Sequence, residues 1–242
     1  MYNLNKKKQL DKPIFFILIL LIVSCSSNSI KLNELEGSVN FKNSKLTLKE
    51  YIVDSTTNSF TFEVENYKLG DQTEKTLVPN LANSDKGQHI HFITNNGPYS
   101  AHYESNFEKY IEENNSIILA FLSRSYHESV KNENAYVLMQ TGKKYNLDNE
   151  YIFYSRPKGN YSGSASEKIL LDFYLVNTEI SKDGNRVRVT INDQEFMIYK
   201  WVPYYIEGLQ KGEATIKLEL LNNNNKLIET EFNPATRIIK ID

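Results

Sequence analysis

Four histidines lie in one short part of the chain, and their spacing raises the hypothesis of metal coordination. Three occur in residues 88–104, QHIHFITNNGPYSAHYE, and the fourth, His127, follows shortly afterwards. The NNGP sequence at residues 95–98 predicts a tight turn, because Asn and Gly tolerate positive φ. Alternating residues on both sides of the turn predict a β-hairpin, in which His89 and His91 share one face.

The face that carries His102 depends on the length of this turn. A two-residue turn at Asn96-Gly97 pairs His91 with His102. A turn at Asn95-Asn96 pairs His89 with His102 instead, and both registers place the three histidines on one face. A three-residue bulged loop moves His102 to the other face. The three-histidine face is therefore predicted on condition that the turn has two residues.

Imidazoles on one face of a hairpin can converge on a single Zn²⁺ or Cu²⁺ ion, because opposite Cβ atoms are about 4.5–5.5 Å apart. The candidate ligands are His89, His91 and His102, with Glu104 or His127 as a fourth. The alternative is a set of exposed histidines that hydrogen-bond to neighbours such as Tyr103. An ion with an open coordination position would also permit metal-dependent hydrolysis.

A second candidate site would bind an anion. SRSYH, at residues 123–127, resembles the Ser-Arg-x-His pattern of forkhead-associated phosphopeptide domains, although the spacing differs and the upstream Gly-Arg is absent. Arg156 and Lys158 would add positive charge to the Arg124 site. The alternative is structural. Arg124 would then bind loop carbonyls or a carboxylate, and Arg156, Lys158 and Tyr161 would organise a turn between domains.

Aromatic residues gather around Pro203 and offer a third candidate surface. Exposed aromatic rings can stack on sugars or anchor a protein partner. Strand alternation sends about half of such residues inward, so core packing or a seam between domains is the favoured alternative. The residues are Tyr199, Trp201, Tyr204 and Tyr205.

Composition and motifs favour a binding or assembly module without catalytic activity. The sequence contains no P-loop, G-x-S-x-G or H-E-x-x-H motif. A net charge of -2 and a pI near 6.1 disfavour a nucleic-acid partner, which would require a basic patch. The expected partner is an envelope protein or a glycan whose identity the sequence leaves open.

Residues 1–24 are predicted to be a lipoprotein signal peptide. Lysines precede an apolar run at residues 14–23, which is too short to span a bilayer. The IVSC sequence that ends at Cys25 resembles the bacterial lipobox, and this resemblance implies cleavage before Cys25 and acylation of that residue. Cys25 is the only cysteine, so intramolecular disulfides are excluded. Several acyl chains would anchor the protein stably in a membrane.

The residue after Cys25 is Ser26 rather than Asp, which by analogy with Gram-negative sorting favours the outer membrane. Residues 25–45 are polar and without a sustained period, so they are predicted to form a flexible tether. The alternative is that Val39 and Phe41 add an edge strand to the folded part.

The rest of the chain predicts an all-β fold of two tandem immunoglobulin-like antiparallel sandwiches. Short alternating segments recur throughout, and no long helical period interrupts them. The predicted domains are residues 46–146 and 166–242, joined by a linker at 147–165. One continuous larger sandwich is the alternative.

The two halves align as an internal repeat. ITNNGPY at residues 93–99 aligns with TINDQEF at 190–196, and residues 107–122 align with 204–220. His89-Ile90-His91 then corresponds to Arg186-Val187-Arg188. Alternation directs Val187 and Val189 inward, and the outer face is predicted to be exposed to solvent in both copies.

Five blocks of sequence together resemble a family of small Bacteroidetes-type cell-envelope lipoproteins, some of which carry the label phosphopeptide-binding protein. The resemblance covers most of the chain after the signal peptide, and it implies a β-rich, lipid-anchored envelope protein without an assigned catalytic residue. The blocks are GQHIHFITNNGPYSAHYES, AFLSRSYHESVKN, FYSRPKGNYSG, ILLDFYLVNTEIS and KWVPYYIEGLQKGEATIKLELL.

Overall fold

A computed structural model describes residues 29–54, 57–74, 80–111 and 115–242, and strands dominate throughout these ranges. The predicted signal peptide and Cys25 lie outside the described residues. No helix in the described part of the chain is both long enough and apolar enough to cross a membrane. The all-β prediction is confirmed.

The first half is an immunoglobulin-like sandwich of seven strands. One sheet has the order β2-β3-β6 and the facing sheet the order β5-β4-β7-β8, with antiparallel pairing throughout. The strands are β2 (Lys45–Val53), β3 (Asn58–Glu65), β4 (His89–Thr94), β5 (Ser100–His102), β6 (Asn106–Lys109), β7 (Ile117–Ser123) and β8 (Tyr136–Gln140).

The second half is a similar sandwich of nine strands, in which one short pair of strands is parallel. One sheet has the order β1-β14-β11-β9 and the other the order β10-β16-β15-β12-β13. A short 3₁₀ turn, Gly163–Ser166, precedes the strand β11. The strands are β1 (Lys31–Glu34), β9 (Tyr151–Arg156), β10 (Asn160–Tyr161), β11 (Ile169–Val176), β12 (Arg186–Ile191), β13 (Gln194–Ile198), β14 (Tyr204–Glu207), β15 (Gly212–Leu221) and β16 (Ala235–Ile241).

The repeat alignment is confirmed by this topology. The first aligned pair of segments contains the β4–β5 and β12–β13 turns, and the second leads from β6 to β7 and from β14 to β15. Val187 and Val189 are buried in the core of the second half, as alternation predicts.

The two sandwiches stack face to face, so that three apolar layers separate four sheets. One layer fills each sandwich, and the third lies between them. This middle layer joins the outer faces of β4 and β7 to β9 and β11, through residues such as Leu119, Phe121, Phe153 and Tyr174. These four strands are buried along nearly their whole length, as strands covered on both faces must be.

The middle layer overturns the prediction that the outer face of β4 is exposed to solvent. His89 and His91 are both 0% exposed, because the β9–β11 sheet covers the face on which they stand. Arg186 and Arg188, at the corresponding positions of β12, keep partial exposure. The prediction is therefore wrong for the first copy.

The predicted flexible tether contains a strand. Lys31–Glu34 forms β1, which pairs with β14 in the register Leu32↔Ile206, so the second half holds the segment that precedes the first. An open sheet edge offers unpaired N–H and C=O groups, and β1 satisfies them. The alternative of an edge strand at Val39 and Phe41 is also wrong, since neither residue lies in a strand.

The predicted linker at 147–165 is also wrong over most of its length. Tyr151–Arg156 is the strand β9, which pairs with β11 in the first sheet of the second half. Asn160–Tyr161 is β10, which pairs with β16 in the other sheet. This segment therefore begins the second sandwich and supplies part of the middle layer.

Candidate metal centre

The hairpin turn forms where one of the two predicted registers placed it. Asn95 and Asn96 both have positive φ, at 49° and 53°. The Gly97 N–H donates to the Thr94 carbonyl at 2.9 Å. This is the geometry of a two-residue hairpin turn with left-handed central residues.

The strand that follows the turn is nevertheless shifted by one residue. Ile90 pairs with His102 and Phe92 with Ser100, one position beyond the register that the turn alone would set. The extra residue lies between Gly97 and Ser100, and it places His102 on the inner face beside the first core. The prediction that His102 joins His89 and His91 is therefore wrong, because a bulge follows the two-residue turn and moves His102 across the sheet, as a three-residue bulged loop would have done.

The second half holds this turn in place. The Asn96 side-chain carbonyl accepts a hydrogen bond from the Tyr154 backbone N–H at 2.7 Å. The Arg237 guanidinium donates to the backbone carbonyl of Gly97 at 2.8 Å and to that of Asn96 at 3.3 Å. These contacts fix the bulged segment and, with it, the position of Tyr99.

His127 reaches the cluster from the β7–β8 connection. It has a φ of 70°, and its N–H donates to the Arg124 carbonyl at 2.9 Å. The same tight turn carries an ion pair between Arg124 and Glu128, at 2.9 Å, with both side chains buried. This arrangement directs the His127 side chain towards β4.

The second half has the same turn without the histidine. Asn225 has a φ of 58°, and its N–H donates to the Asn222 carbonyl at 3.0 Å. Asn225 therefore corresponds to His127, and Asn is a residue that tolerates positive φ.

Three imidazoles converge. The His89 Nδ1 atom lies 2.8 Å from the Gly87 carbonyl and must donate to it, which leaves Nε2 unprotonated and able to accept. The His127 Nδ1 atom lies 3.2 Å from that Nε2 atom. His91 uses Nδ1 to contact Ser155 Oγ at 3.3 Å, and its Nε2 atom is buried with no hydrogen bond among the described residues.

The separations suit a transition-metal ion. One ligand atom from each of His89, His91 and His127 lies within 4.8 Å of the others. Neighbouring ligands of a tetrahedral Zn²⁺ ion are about 3.3 Å apart, given bonds of about 2.0–2.1 Å. Opposite ligands of a tetragonal Cu²⁺ ion are about 4 Å apart. The limit of 4.8 Å is larger than both spacings, so coordination of one ion would draw the three nitrogens closer together.

Aromatic rings enclose the cluster. The Tyr99 ring stacks on His91 with centroids 3.5 Å apart, and the Phe121 ring meets His91 edge-on at 5.2 Å. The Tyr103 ring lies 5.0 Å from that of His89. His127 is partly exposed and gives the cluster its contact with solvent.

Burial keeps all three imidazoles neutral. It lowers the pKa of His89 to about 4, that of His127 to about 2, and that of His91 well below its usual value. The positive charges of Arg156 and Lys158 lower these pKa values further. Neutral imidazole is the form that binds metals, so the cluster is in its ligating form at neutral pH.

The other two predicted ligands lie elsewhere. The His102 ring stacks on Phe107 with centroids 3.5 Å apart, and its Nε2 atom lies 2.8 Å from Ser100 Oγ. Glu104 is exposed and outside the cluster. Of the five proposed ligands, the structure brings together His89, His91 and His127.

The anion-site prediction is wrong for Arg124. Its guanidinium pairs with Glu128 and donates to the backbone carbonyls of Val39 and Ser129, the latter at 2.9 Å. The alternative, in which Arg124 satisfies a carboxylate and loop carbonyls, is confirmed. Arg124, the central residue of the resemblance to phosphopeptide-binding domains, is therefore already engaged within the protein.

Arg156 and Lys158 lie beside the histidine cluster instead. Lys158 Nζ is 3.7 Å from the centre of the Tyr99 ring and donates to the Tyr99 carbonyl at 2.7 Å. The Arg156 guanidinium is 5.3 Å from the same ring and donates to the Tyr161 hydroxyl at 3.1 Å. Burial lowers the pKa of Lys158 to about 8. These residues organise the turn between β9 and β10, which lies within the second sandwich, so the predicted turn between domains is wrong in its location.

Two of the four aromatic residues around Pro203, Trp201 and Tyr204, pack inward, as the favoured alternative predicted, whereas Tyr199 and Tyr205 are partly exposed. Trp201 Nε1 donates to the Phe173 carbonyl at 2.9 Å, and the ring meets that of Tyr174 edge-on at 5.0 Å. Tyr204 is buried in the core of the second half. Trp201 thus packs at the seam between the sandwiches.

Tyr99 is the residue of this site that the sequence analysis did not identify. It is 4% exposed, and its hydroxyl lies 3.2 Å from His127 Nδ1. The available signal was its position, since it is the first aromatic residue after the turn in the hairpin that carries His91.

No protein-family model matches the chain, and no curated protein matches it either. The fibronectin(III)-like modules of Clostridium thermocellum CbhA are 10% identical, with a TM-score of 0.30 over 81% of this chain and 94% of that chain. The central fibronectin-III array of RIM-binding protein is also 10% identical, with a TM-score of 0.29 over 85% of this chain and 70% of that chain. Values this low leave function to be argued from the site.

Proposed function

We propose that this protein binds a transition-metal ion, Zn²⁺ or Cu²⁺, through His89, His91 and His127. The observation that carries the proposal is the His91 Nε2 atom, which is fully buried, has no hydrogen bond among the described residues, and belongs to the converging set. A buried polar atom without a partner is costly, and coordination of an ion would remove that cost.

The supporting contacts resemble those of known metal sites in kind. Metal-ligating histidines usually donate the second ring N–H to a carbonyl or another oxygen acceptor. His89 does this with the Gly87 carbonyl at 2.8 Å, and His91 places Nδ1 3.3 Å from Ser155 Oγ. Both contacts leave Nε2 as the ligand atom.

The enclosed setting favours binding over catalysis. A catalytic metal needs an open coordination position that substrate can reach. His89 and His91 are fully buried beneath the second half. We infer a module that holds or passes on an ion, without catalytic activity of its own.

The proposed location is the cell envelope, with a lipid anchor at Cys25 and the outer membrane as the favoured destination. The lipobox-like IVSC sequence supports the anchor, and Ser26 supports the destination. Incorporation of labelled palmitate that persists in Cys25→Ser would contradict the anchor.

The test of metal binding is calorimetric titration of the full chain, in detergent, with Zn²⁺ and with Cu²⁺. We expect one equivalent to bind. His127→Asn should weaken binding more than about 100-fold, because even outer contacts of a metal site are worth about 10–100-fold. Asn suits this position because Asn225 occupies the same turn with positive φ in the second half.

His102→Ile is the matched control, since it removes a histidine of the same hairpin that lies on the opposite face. The second half carries the buried Ile198 at the corresponding register position. Binding should be unchanged in this variant. Absence of stoichiometric binding, or equal losses in both variants, would overturn the proposed function.

A further inference from the structure

Three imidazoles leave a four-coordinate ion one ligand short, and the Tyr99 hydroxyl lies next to one of them. Its hydroxyl oxygen is 3.2 Å from His127 Nδ1, which is itself 3.2 Å from His89 Nε2. Both separations are close to the spacing of about 3.3 Å between neighbouring ligands of a tetrahedral ion. The Tyr99 ring also stacks on that of His91, with centroids 3.5 Å apart.

The charges around the cluster favour an anionic ligand once an ion is bound, although burial raises the pKa of the Tyr99 hydroxyl in the metal-free protein. Arg156 and Lys158 both lie against the Tyr99 ring, at 5.3 and 3.7 Å from its centre. The histidines contribute no negative charge, and no carboxylate joins the metal-capable group within the described residues. A divalent ion bound by imidazoles alone would therefore face two cations without compensation.

We infer that Tyr99 is the fourth ligand of the metal and binds it as a phenolate. This inference rests on the proposed function and specifies the ligand set as three nitrogens and one oxygen. The phenolate supplies a negative charge that partly compensates the positive charges of Arg156, Lys158 and the ion. An anionic oxygen also suits Zn²⁺ and Cu²⁺ better than Cu⁺, which favours soft ligands.

The binding step conserves charge and atoms. The Tyr99 O–H bond breaks, its proton passes to solvent buffer, and the oxygen lone pair forms the bond to the ion. A bound cation is the largest local charge in such a site and can deprotonate a coordinating group outright. No oxidant or reductant takes part.

Cu²⁺ is the probe that reports this ligand directly. Phenolate bound to Cu²⁺ gives a ligand-to-metal charge-transfer band in the visible spectrum, whereas imidazole and water ligands do not. The full chain with one equivalent of Cu²⁺ should show the band, and Tyr99→Phe should lose it. Tyr103→Phe is the matched control, because Tyr103 also packs on His89 but its hydroxyl contacts Ser84 at 2.7 Å.

Zn²⁺ provides a second measurement. Calorimetric titration in buffers of different ionisation enthalpy counts the protons released on binding. The wild type should release about one proton more than Tyr99→Phe, and Tyr103→Phe should match the wild type.

The outcomes separate this inference from the proposed function. Stoichiometric binding that depends on His127, without the visible band and with equal proton release in Tyr99→Phe, would overturn the role of Tyr99 and leave metal binding intact. A charge-transfer band that persists in Tyr99→Phe and vanishes in Tyr103→Phe would show that Tyr103 is the ligand and would overturn the role of Tyr99. Absence of any metal binding would overturn both proposals.

Discussion

His91 and Arg188 occupy the same register position in the two sandwiches, and their surroundings differ completely. His91 lies opposite Phe121 on β7, stacks on Tyr99, and is fully buried. Arg188 lies opposite Glu219 on β15 and forms ion pairs with Glu219, at 2.8 Å, and with another carboxylate of its hairpin. One face is an apolar, covered surface, and the other is a charged surface in contact with water.

The difference comes from the neighbouring sandwich rather than from the strand itself. The β9–β11 sheet covers the first face, so that hydrogen bonds and stacking must replace solvent around each polar group. The second face has no such cover among the described residues, and its arginines pair with carboxylates. A repeat can therefore keep its topology while one copy exchanges surface charge for an enclosed site.

The largest expected effect on stability comes from the ion pair between Lys131 and Asp172, which joins the two sandwiches. Asp172, 1% exposed, accepts hydrogen bonds from Ser129 and from the Lys131 ammonium, whose side chain is 11% exposed. Asp172→Ala leaves a nearly buried cation unpaired, and we expect a loss of about 3–5 kcal/mol in the free energy of unfolding. Urea denaturation followed by Trp201 fluorescence measures it.

The matched control is the ion pair on the open face. Glu219→Ala removes the partner of Arg188, whose side chain is 32% exposed, and should cost at most about 1 kcal/mol. Similar losses for Asp172→Ala and Glu219→Ala would mean that the covered and open faces do not differ in the way described.

Much of the fold could be predicted from sequence because the strands alternate and the repeat is regular. The stacking of the two sandwiches was harder to predict, although one strand carries a sequence signal of it. IILAFL at residues 117–122 is continuously apolar, which is typical of a strand covered on both faces. The polar His89 and His91 on the partner strand conceal this signal, because imidazoles next to aliphatic residues resemble ordinary alternation.

The sequence predicted a histidine cluster on this hairpin, but it placed His102 on the wrong face of the sheet. The Asn-Asn turn follows from local chemistry, whereas the extra residue after it is held by Arg237 and Tyr154, which are distant in sequence. No local pattern encodes that contact, so the side of the sheet that carries His102 could not be derived. His127 was named as a candidate ligand. It reaches the other two histidines because its backbone has positive φ, and the local sequence does not predict that conformation.

A smaller effect is expected in the pH dependence of stability, because the inner face of the first hairpin carries His102 where the second hairpin carries Ile198. Burial and the charge of Lys109 lower the pKa of His102 from 6.5 to about 4. The unfolded chain therefore binds more protons between these values, and the stability that neutral His102 contributes is lost as pH falls from 6.5 towards 4. His102→Ile, which introduces the residue of the second half, should flatten the dependence of unfolding free energy on pH.

The difference in slope should stay below about 1.4 kcal/mol per pH unit, the value for one proton, because His102 is only partly buried. Urea midpoints of the metal-free protein at a series of pH values between 4 and 7 measure it. Parallel curves for wild type and His102→Ile would show that His102 keeps an ordinary pKa.

The smallest expected change in stability comes from building the histidine set on the open face. Arg186→His, Arg188→His and Asn225→His place imidazoles at the positions of His89, His91 and His127, and such surface changes should shift stability by no more than about 1 kcal/mol. Zn²⁺ titration of this variant, with His127→Asn added to silence the natural site, measures binding at the copied site.

We expect the copied site to bind Zn²⁺ at least about 10–100-fold more weakly than the natural one, the range attributed to outer contacts of metal ligands. The copied rings have the same strand spacing but no covering sheet to fix their rotamers, and no tyrosine in the place of Tyr99. Equal affinity would mean that three histidines on this hairpin suffice. Weak binding would assign the difference to the covering sheet and Tyr99 together, both of which the copied site lacks, and the stacking of the two halves would then be part of the proposed metal site.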